Sequence, residues 1–220
     1  MSSEQQKYFM ITPRIRSAAP TNNALHYSYL REEAPLTPAM RPYPWQYVQP
    51  WKTKDGVEVI MRPIRPDDEL LMVRFHETLS DQSVYYRYFH FIKLSQRVAH
   101  ERLMRICFVD YANEMALVVE YKNPATHEYE IHGVGRLIKH GGLNEAEFAM
   151  IVSDAWQKRG LGRELLRRLI AVGRDWKLAR ITADILPDNI DMQRVAQKLG
   201  FQLRYHSQER LMKAHLDLSI

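Results

Sequence analysis

The stretch EAEFAMIVSDAWQKRGLGRELLRRLIAV (145–172) constrains this chain more tightly than any other. Its first eight residues are mostly apolar and read as a strand. From Leu161 the apolar side chains recur at Leu165, Leu169, Val172 and Trp176, the period of a helix. Between the two stand Gly160 and Gly162. Glycine weakens a helix interior by about 1 kcal/mol relative to alanine, so two at a helix mouth need a reason. The first N–H groups of a helix have no intrahelical partner, and the dipole adds partial positive charge there. Glycine also removes the Cβ that would block a phosphate's approach. Lys158, Arg159 and Arg163 add charge around the same point. The layout reads as a diphosphate cradle, with an ordinary glycine turn as the alternative. It is not a Walker loop, because Arg163 and Glu164 follow Gly162. Nor is it the dinucleotide fingerprint, since no third glycine follows at the required spacing.

The surrounding pattern is a mixed α/β domain. VEVIMRPI (57–64) reads as a strand, and 65–80 as a helix opened by Pro66, Asp67, Asp68 and Glu69, with Leu70, Val73 and Leu79 on its apolar face. SVYYRYF (83–89) is ambiguous. A helix is expected over 95–108 with Ser95 as N-cap. Strands follow at 115–121, 130–138 and 145–152, then the helix 160–176 and a strand at 180–186. A helix over 188–200 ends at Gly200, and two strands close the chain. Residues 1–40 lack periodicity and read as largely disordered. PLTPAMRPYPWQYVQPW (35–51) reads as an extended strap without ladder pairing, pinned by Trp45, Tyr47 and Trp51. The expected division is therefore a proline-rich extension, 1–50, and one domain, 51–220.

Charge and cysteine narrow the function. The net charge of +5 concentrates around Lys158, Arg159, Arg163, Arg167 and Arg168, which suits an acidic small ligand; no nucleic-acid-binding motif is present. No run approaches the roughly 20 apolar residues of a membrane span, and no secretory leader is seen. The lone Cys107 fits a reducing cytoplasm and reads as core packing. The nine histidines show no metal-ligand spacing, so no metal is expected.

EFAMIVSDAWQKRGLGRELL followed by ADILPDNIDMQRVAQKLGF resembles the GNAT acyltransferase superfamily. That family's Gln/Arg-x-x-Gly-x-Gly/Ala motif after its fourth strand is matched by Gln157, Gly160 and Gly162. Its second hallmark, an Asn opening the last helix and Leu-Gly-Phe closing it, is matched by Asn189 and by Leu199, Gly200 and Phe201. The resemblance covers about residues 55–215. RPIRPDDELLMVRFHETLSDQSVYYRYF (62–89) is further similar to the acyltransferase domain of bacterial Pat-type protein lysine acetyltransferases. Many of those carry an acyl-CoA-synthetase-like domain ahead of it. MRPYPWQYVQPW resembles the segment joining the two parts, so a stand-alone form is expected.

The resemblance implies a GNAT fold: a mostly antiparallel mixed sheet flanked by helices, its fourth and fifth strands splayed apart. It implies acetyl-CoA as co-substrate and a lysine-bearing protein as partner, without nucleic acid or membrane. Ile151 and Val152 would then offer backbone groups to the pantetheine arm and the thioester oxygen. Gln157, Lys158, Arg159, Gly160, Leu161, Gly162 and Arg163 would surround the diphosphate. Asn189 would bond near the pantetheine, or simply cap its helix. A carboxylate must take the acceptor's proton; Glu147 is the first candidate and Glu145, two residues away on the same face, the second. Many members place a proton-donating tyrosine where this chain has Ala196, so no general acid is assigned. Acylation of a small amine or an N-terminus, and a non-catalytic acyl-CoA sensor, are the alternatives.

Overall fold

The computed structural model describes residues 42–218. The expected disorder of 1–40 lies outside the described residues. Eight strands form one sheet: β1 (Gln49–Lys52), β2 (Glu58–Pro63), β3 (Glu114–Lys122), β4 (Tyr129–Lys139), β5 (Glu145–Val152), β6 (Arg180–Ile185), β7 (Gln202–His206) and β8 (Leu211–Asp217). Their order is β1-β2-β3-β4-β5-β6-β8-β7, antiparallel throughout except for the parallel pair β5–β6. Among the described residues six α-helices flank it: α1 (Glu69–Glu77), α2 (Asp81–Tyr88), α3 (Leu94–Arg97), α4 (His100–Cys107), α5 (Leu161–Asp175) and α6 (Ile190–Lys198).

Both faces of the sheet centre are covered, which is why β3 reads as an unbroken apolar run. Leu117 and Val119 belong to the core that holds Leu161, Leu165, Leu166 and Leu169 of α5. Ala116 and Val118 belong to a second core with Met72, Phe75, Leu103 and Cys107 of α1 and α4. α1 is fastened by a buried ion cluster. Arg62 donates from both terminal nitrogens to the Asp68 carboxylate, at 2.7 and 2.6 Å, and from Nε and Nη2 to Glu120, at 2.8 and 2.6 Å.

Several expectations are corrected. The strap does form a ladder: Gln49–Lys52 pairs with Glu58–Met61, and so the strand expected as fourth is β5. Pro50 is tolerated because β1 is an edge strand, where a missing N–H can face away from the sheet. Tyr47 and Trp51 pack on the core, but Trp45 is 68% exposed. On α1, Leu70 is 74% exposed; the helix starts only after a 3-10 turn, and this rotates Met72, Phe75 and His76 inward instead. The ambiguous 83–89 lies mostly in α2, capped by the Ser80 hydroxyl, which accepts from Ser83 N–H. The helix expected over 95–108 breaks into α3 and α4, with Ser95 inside α3 rather than capping it. At the break, the buried Arg97 guanidinium donates to His76 O at 3.0 Å, a tertiary bond that outweighs local helix preference. The expected helix end at Gly200 is observed, in the left-handed region at φ +94°.

Candidate active site

β5 and β6 pair only at Glu145–Arg180, Ala146–Ile181 and Glu147–Thr182. Beyond that point β5 runs on to Val152 and β6 to Ile185 without pairing, so the sheet opens between them. β5 register decides which backbone groups face the opening. Ser153 N–H donates to His132 O, and Glu145 O accepts from His140 N–H, both on the β4 side. The β4–β5 register is continuous, so every odd residue of β5 turns its backbone to β4. Ile151 is therefore spent on Val134 and cannot serve the opening. Met150 and Val152 face it, and the Val152 carbonyl already accepts from the Gln157 amide at 3.2 Å.

At the end of β5 a short 3-10 turn, Asp154–Trp156, leads to the glycines. Lys158 takes a left-handed conformation at φ +62° and Gly160 another at φ +97°. Gly160 is the residue before α5, and a Cβ there would meet the Trp51 ring at 3.1 Å. At Gly162 a Cβ would meet, among the described residues, only the flexible Met150 Cε, at 3.7 Å. Among the described residues the N–H groups of Arg159, Gly160, Leu161, Gly162 and Arg163 have no protein acceptor. Glu164, the acid of the first turn, is paired with Arg167 and Arg168 and leaves the positive end of α5 uncancelled. Free amides, a helix terminus and an open Cβ position fit an anionic ligand such as a diphosphate.

The opened sheet and this loop are accompanied by a family match. The family described as "Acetyltransferase (GNAT) domain" matches residues 58–202, well over half of the chain. This chain belongs to the GNAT acetyltransferase family. It is 27% identical over 154 residues to "Acetyltransferase Pat" of Mycolicibacterium smegmatis, covering 69% of this chain and 43% of that protein. An acetyltransferase of Pseudomonas aeruginosa is 30% identical over 120 residues, 54% of this chain and 62% of the other. The chain thus spans less than two thirds of the length of these curated relatives. The GNAT domain of S. lividans PAT superposes with a TM-score of 0.71 at 27% identity, over 80% of this chain and all of that one.

Within this GNAT domain the two candidate carboxylates differ. Glu145 pairs with Arg180 at 3.4 Å. Glu147 stands at the last paired position before the strands part, half-buried, with His140 Nε2 at 4.0 Å and no Lys or Arg partner among the described residues. Burial, then the nearby Asp184 charge, raises its pKa above the usual carboxylate value. Asn189 caps α6: its side-chain oxygen accepts from Met192 N–H at 3.1 Å. Ala196 is wholly buried, its carbonyl accepting from Leu199 and Phe201 N–H. A phenol reaches that loop from elsewhere: Tyr86 of α2 donates to Asp188 O at 3.3 Å. Cys107 is buried, and burial pushes its thiol up to about 12, a poor nucleophile. Among the described residues no three His, Cys, Asp or Glu are placed to hold a metal ion, and no helix is long and apolar enough to cross a membrane.

Sequence reasoning missed the supports of the loop. Lys54 N–H donates to Arg159 O at 3.0 Å, and Asp55 pairs with the Arg159 guanidinium at 3.1 Å, so the β1–β2 turn braces it. Asp154 accepts from Ser80 N–H, the Ser80 hydroxyl and the Ser83 hydroxyl, at 2.8, 2.7 and 2.9 Å. Gln157 donates to the Ser83 hydroxyl as well, at 3.1 Å. The segment before the glycines is thereby tied to α2. A Ser-x-x-Ser pair opening a helix was the available signal, but its partner lies more than seventy residues away.

Proposed function

We propose that this chain is an acetyl-CoA-dependent N-acetyltransferase acting on lysine ε-amines of proteins, by direct transfer with Glu147 as general base. The observation that carries it is the parting of β5 from β6 immediately after Glu147, with the free amides of Arg159–Arg163 at the far end of the same opening. Acetyl-CoA supplies an activated acetyl thioester. The α5 amides and the Lys158, Arg159 and Arg163 side chains bind its diphosphate. The N–H groups of Met150 and Val152, the backbone donors turned into the opening, stabilise the developing oxyanion.

A lysine must lose its proton to attack, and its unperturbed pKa is about 10.4. Glu147, with no Lys or Arg partner among the described residues, accepts that proton as the amine nitrogen bonds the acetyl carbon and the C–S bond breaks, coenzyme A leaving as its thiolate; such catalysis contributes roughly 10²–10⁴-fold. Glu145, held by Arg180, is the weaker candidate. Asp184 is paired as well, with Lys213 at 2.9 Å, which leaves Glu147 as the carboxylate of the three that can meet a cationic side chain. Asn189 fixes the start of α6 beside the opening. The likeness to the relative named "Acetyltransferase Pat" supports acetyl transfer, and the resemblance of residues 62–89 to Pat-type protein lysine acetyltransferases is the ground for a lysine acceptor.

The test is mass spectrometry of a cell lysate incubated with purified protein and acetyl-CoA, beside Glu147→Gln and a panel of free amines. Acetyl-lysine sites that depend on Glu147 support the reading. Acetylation of free amines alone, or of nothing, refutes it.

A further inference from the structure

Aromatic rings stand behind the diphosphate loop and have no part in the chemistry described so far. Trp156 stacks on His132 of β4, ring centroids 4.0 Å apart and planes 13° from parallel. Tyr121 tilts against the same indole at 4.9 Å. His132 is buried, and its Nε2 lies 2.9 Å from a Glu130 carboxylate oxygen. A carboxylate can only accept, so Nε2–H donates and the ring orientation is fixed. Burial pushes the His132 pKa down, so the imidazole adds no competing cation near Arg159.

The indole in turn carries the Arg159 guanidinium, whose carbon lies 4.7 Å from the ring centroid. Arg159 is also the first residue of the free-amide run. Its guanidinium meets Asp55 at 3.1 Å, and its carbonyl accepts from Lys54. An exposed arginine would sample many rotamers; this one has a flat surface to rest on and a carboxylate to limit its swing.

We infer that Trp156 is a positioning residue: locked by His132 and Tyr121, its indole holds the Arg159 guanidinium beside the α5 amides, where it pairs with the ligand's phosphate groups. This rests on the acyl-CoA reading above. The stack links a buried β4 residue to the affinity of the ligand site.

A double-mutant cycle on coenzyme A affinity decides it, by calorimetry on wild type, Trp156→Leu, Arg159→Met and the double variant, each with a thermal melt. Arg159→Met should weaken binding about tenfold, the size of one charge-assisted hydrogen bond. Trp156→Leu should weaken it comparably, the double variant should bind no worse than Arg159→Met alone, and Trp156→Phe should recover most of the affinity. Equal losses from Trp156→Leu in both backgrounds, or none in either, overturn the inference. A wild type that does not bind coenzyme A overturns the acyl-CoA reading itself. Should Trp156→Leu melt as an unfolded chain, His132→Leu with His132→Phe as its rescue completes the same cycle.

Discussion

Gly162→Leu, larger than the alanine the motif also admits at this position, separates ligand clearance from fold requirement, because the structure gives opposite signs for the two. A Cβ at this position meets only Met150 Cε at 3.7 Å, an ordinary contact with a flexible side-chain end. The residue lies in the first turn of α5, where leucine improves helix propensity by up to about 1 kcal/mol. For a domain of this size that is a rise in Tm of at most about 2–4 °C. The same side chain stands beside amides that have no acceptor among the described residues and would keep a phosphate oxygen from one of them. Losing one charge-assisted hydrogen bond costs about 1.5–3 kcal/mol, or roughly ten- to a hundredfold in Kd. The assay is a thermal melt and a calorimetric titration of coenzyme A on the same preparation. Gly160→Ala is the contrast. Its φ of +97° costs a side chain about 1–2 kcal/mol, and the Trp51 ring stands 3.1 Å from the new Cβ, so stability and affinity should fall together. Coenzyme A binding by Gly162→Leu at wild-type strength, with Tm unchanged or higher, would refute the cradle.

Glu147→Gln should lower kcat by about 10²–10⁴-fold. Because burial raises the Glu147 pKa and the base must be ionised, the wild-type rate should climb with pH through that raised value, and the variant should lack that limb. Partial burial pushes the Asp154 carboxyl up, but the bonds from Ser80 and Ser83 outweigh it and hold its pKa below the usual value. Their stabilisation is then complete above the unfolded pKa of about 3.9 and lost as pH falls through the lower folded value; amide protection factors over residues 81–88, which allow for the slower intrinsic exchange in acid, should fall there, and in Asp154→Ala at neutral pH. Arg62→Ala leaves Asp68 buried without its guanidinium and Glu120 with Arg65 at 3.7 Å, costing about 3–5 kcal/mol and lowering Tm on the order of 10 °C by calorimetry. Asn189→Asp keeps the oxygen that caps α6 but loses the amide donor, so it should preserve Tm while weakening coenzyme A binding; equal affinity would leave Asn189 a cap only.

What the sequence made legible was what local periodicity encodes. The stripe from Leu161 to Val172 is buried as expected, and β5, β6 and the end of α6 at Gly200 lie where their patterns place them. Pro50 argued against a strand because local sequence does not reveal that β1 would be an edge. α2 depends on Asp154, and the break before α4 on Arg97 reaching His76; both are tertiary bonds with no local trace. The substitution of Met150 for Ile151 has the same origin. Which residues of a strand turn their backbone toward a cleft depends on register with the neighbouring strand, and alternation alone leaves both choices open. The brace of Lys54 and Asp55 on Arg159 joins segments about a hundred residues apart, so the glycine motif could be recognised without the hairpin that supports it.

The most direct measurement is amide hydrogen exchange, residue by residue, with and without saturating acetyl-CoA. The five amides from Arg159 to Arg163 should gain strong protection, together with Met150 and Val152. If those seven exchange at the same rate in both samples while acetyl-CoA is demonstrably bound, the ligand is held elsewhere and the assignment of this loop is wrong.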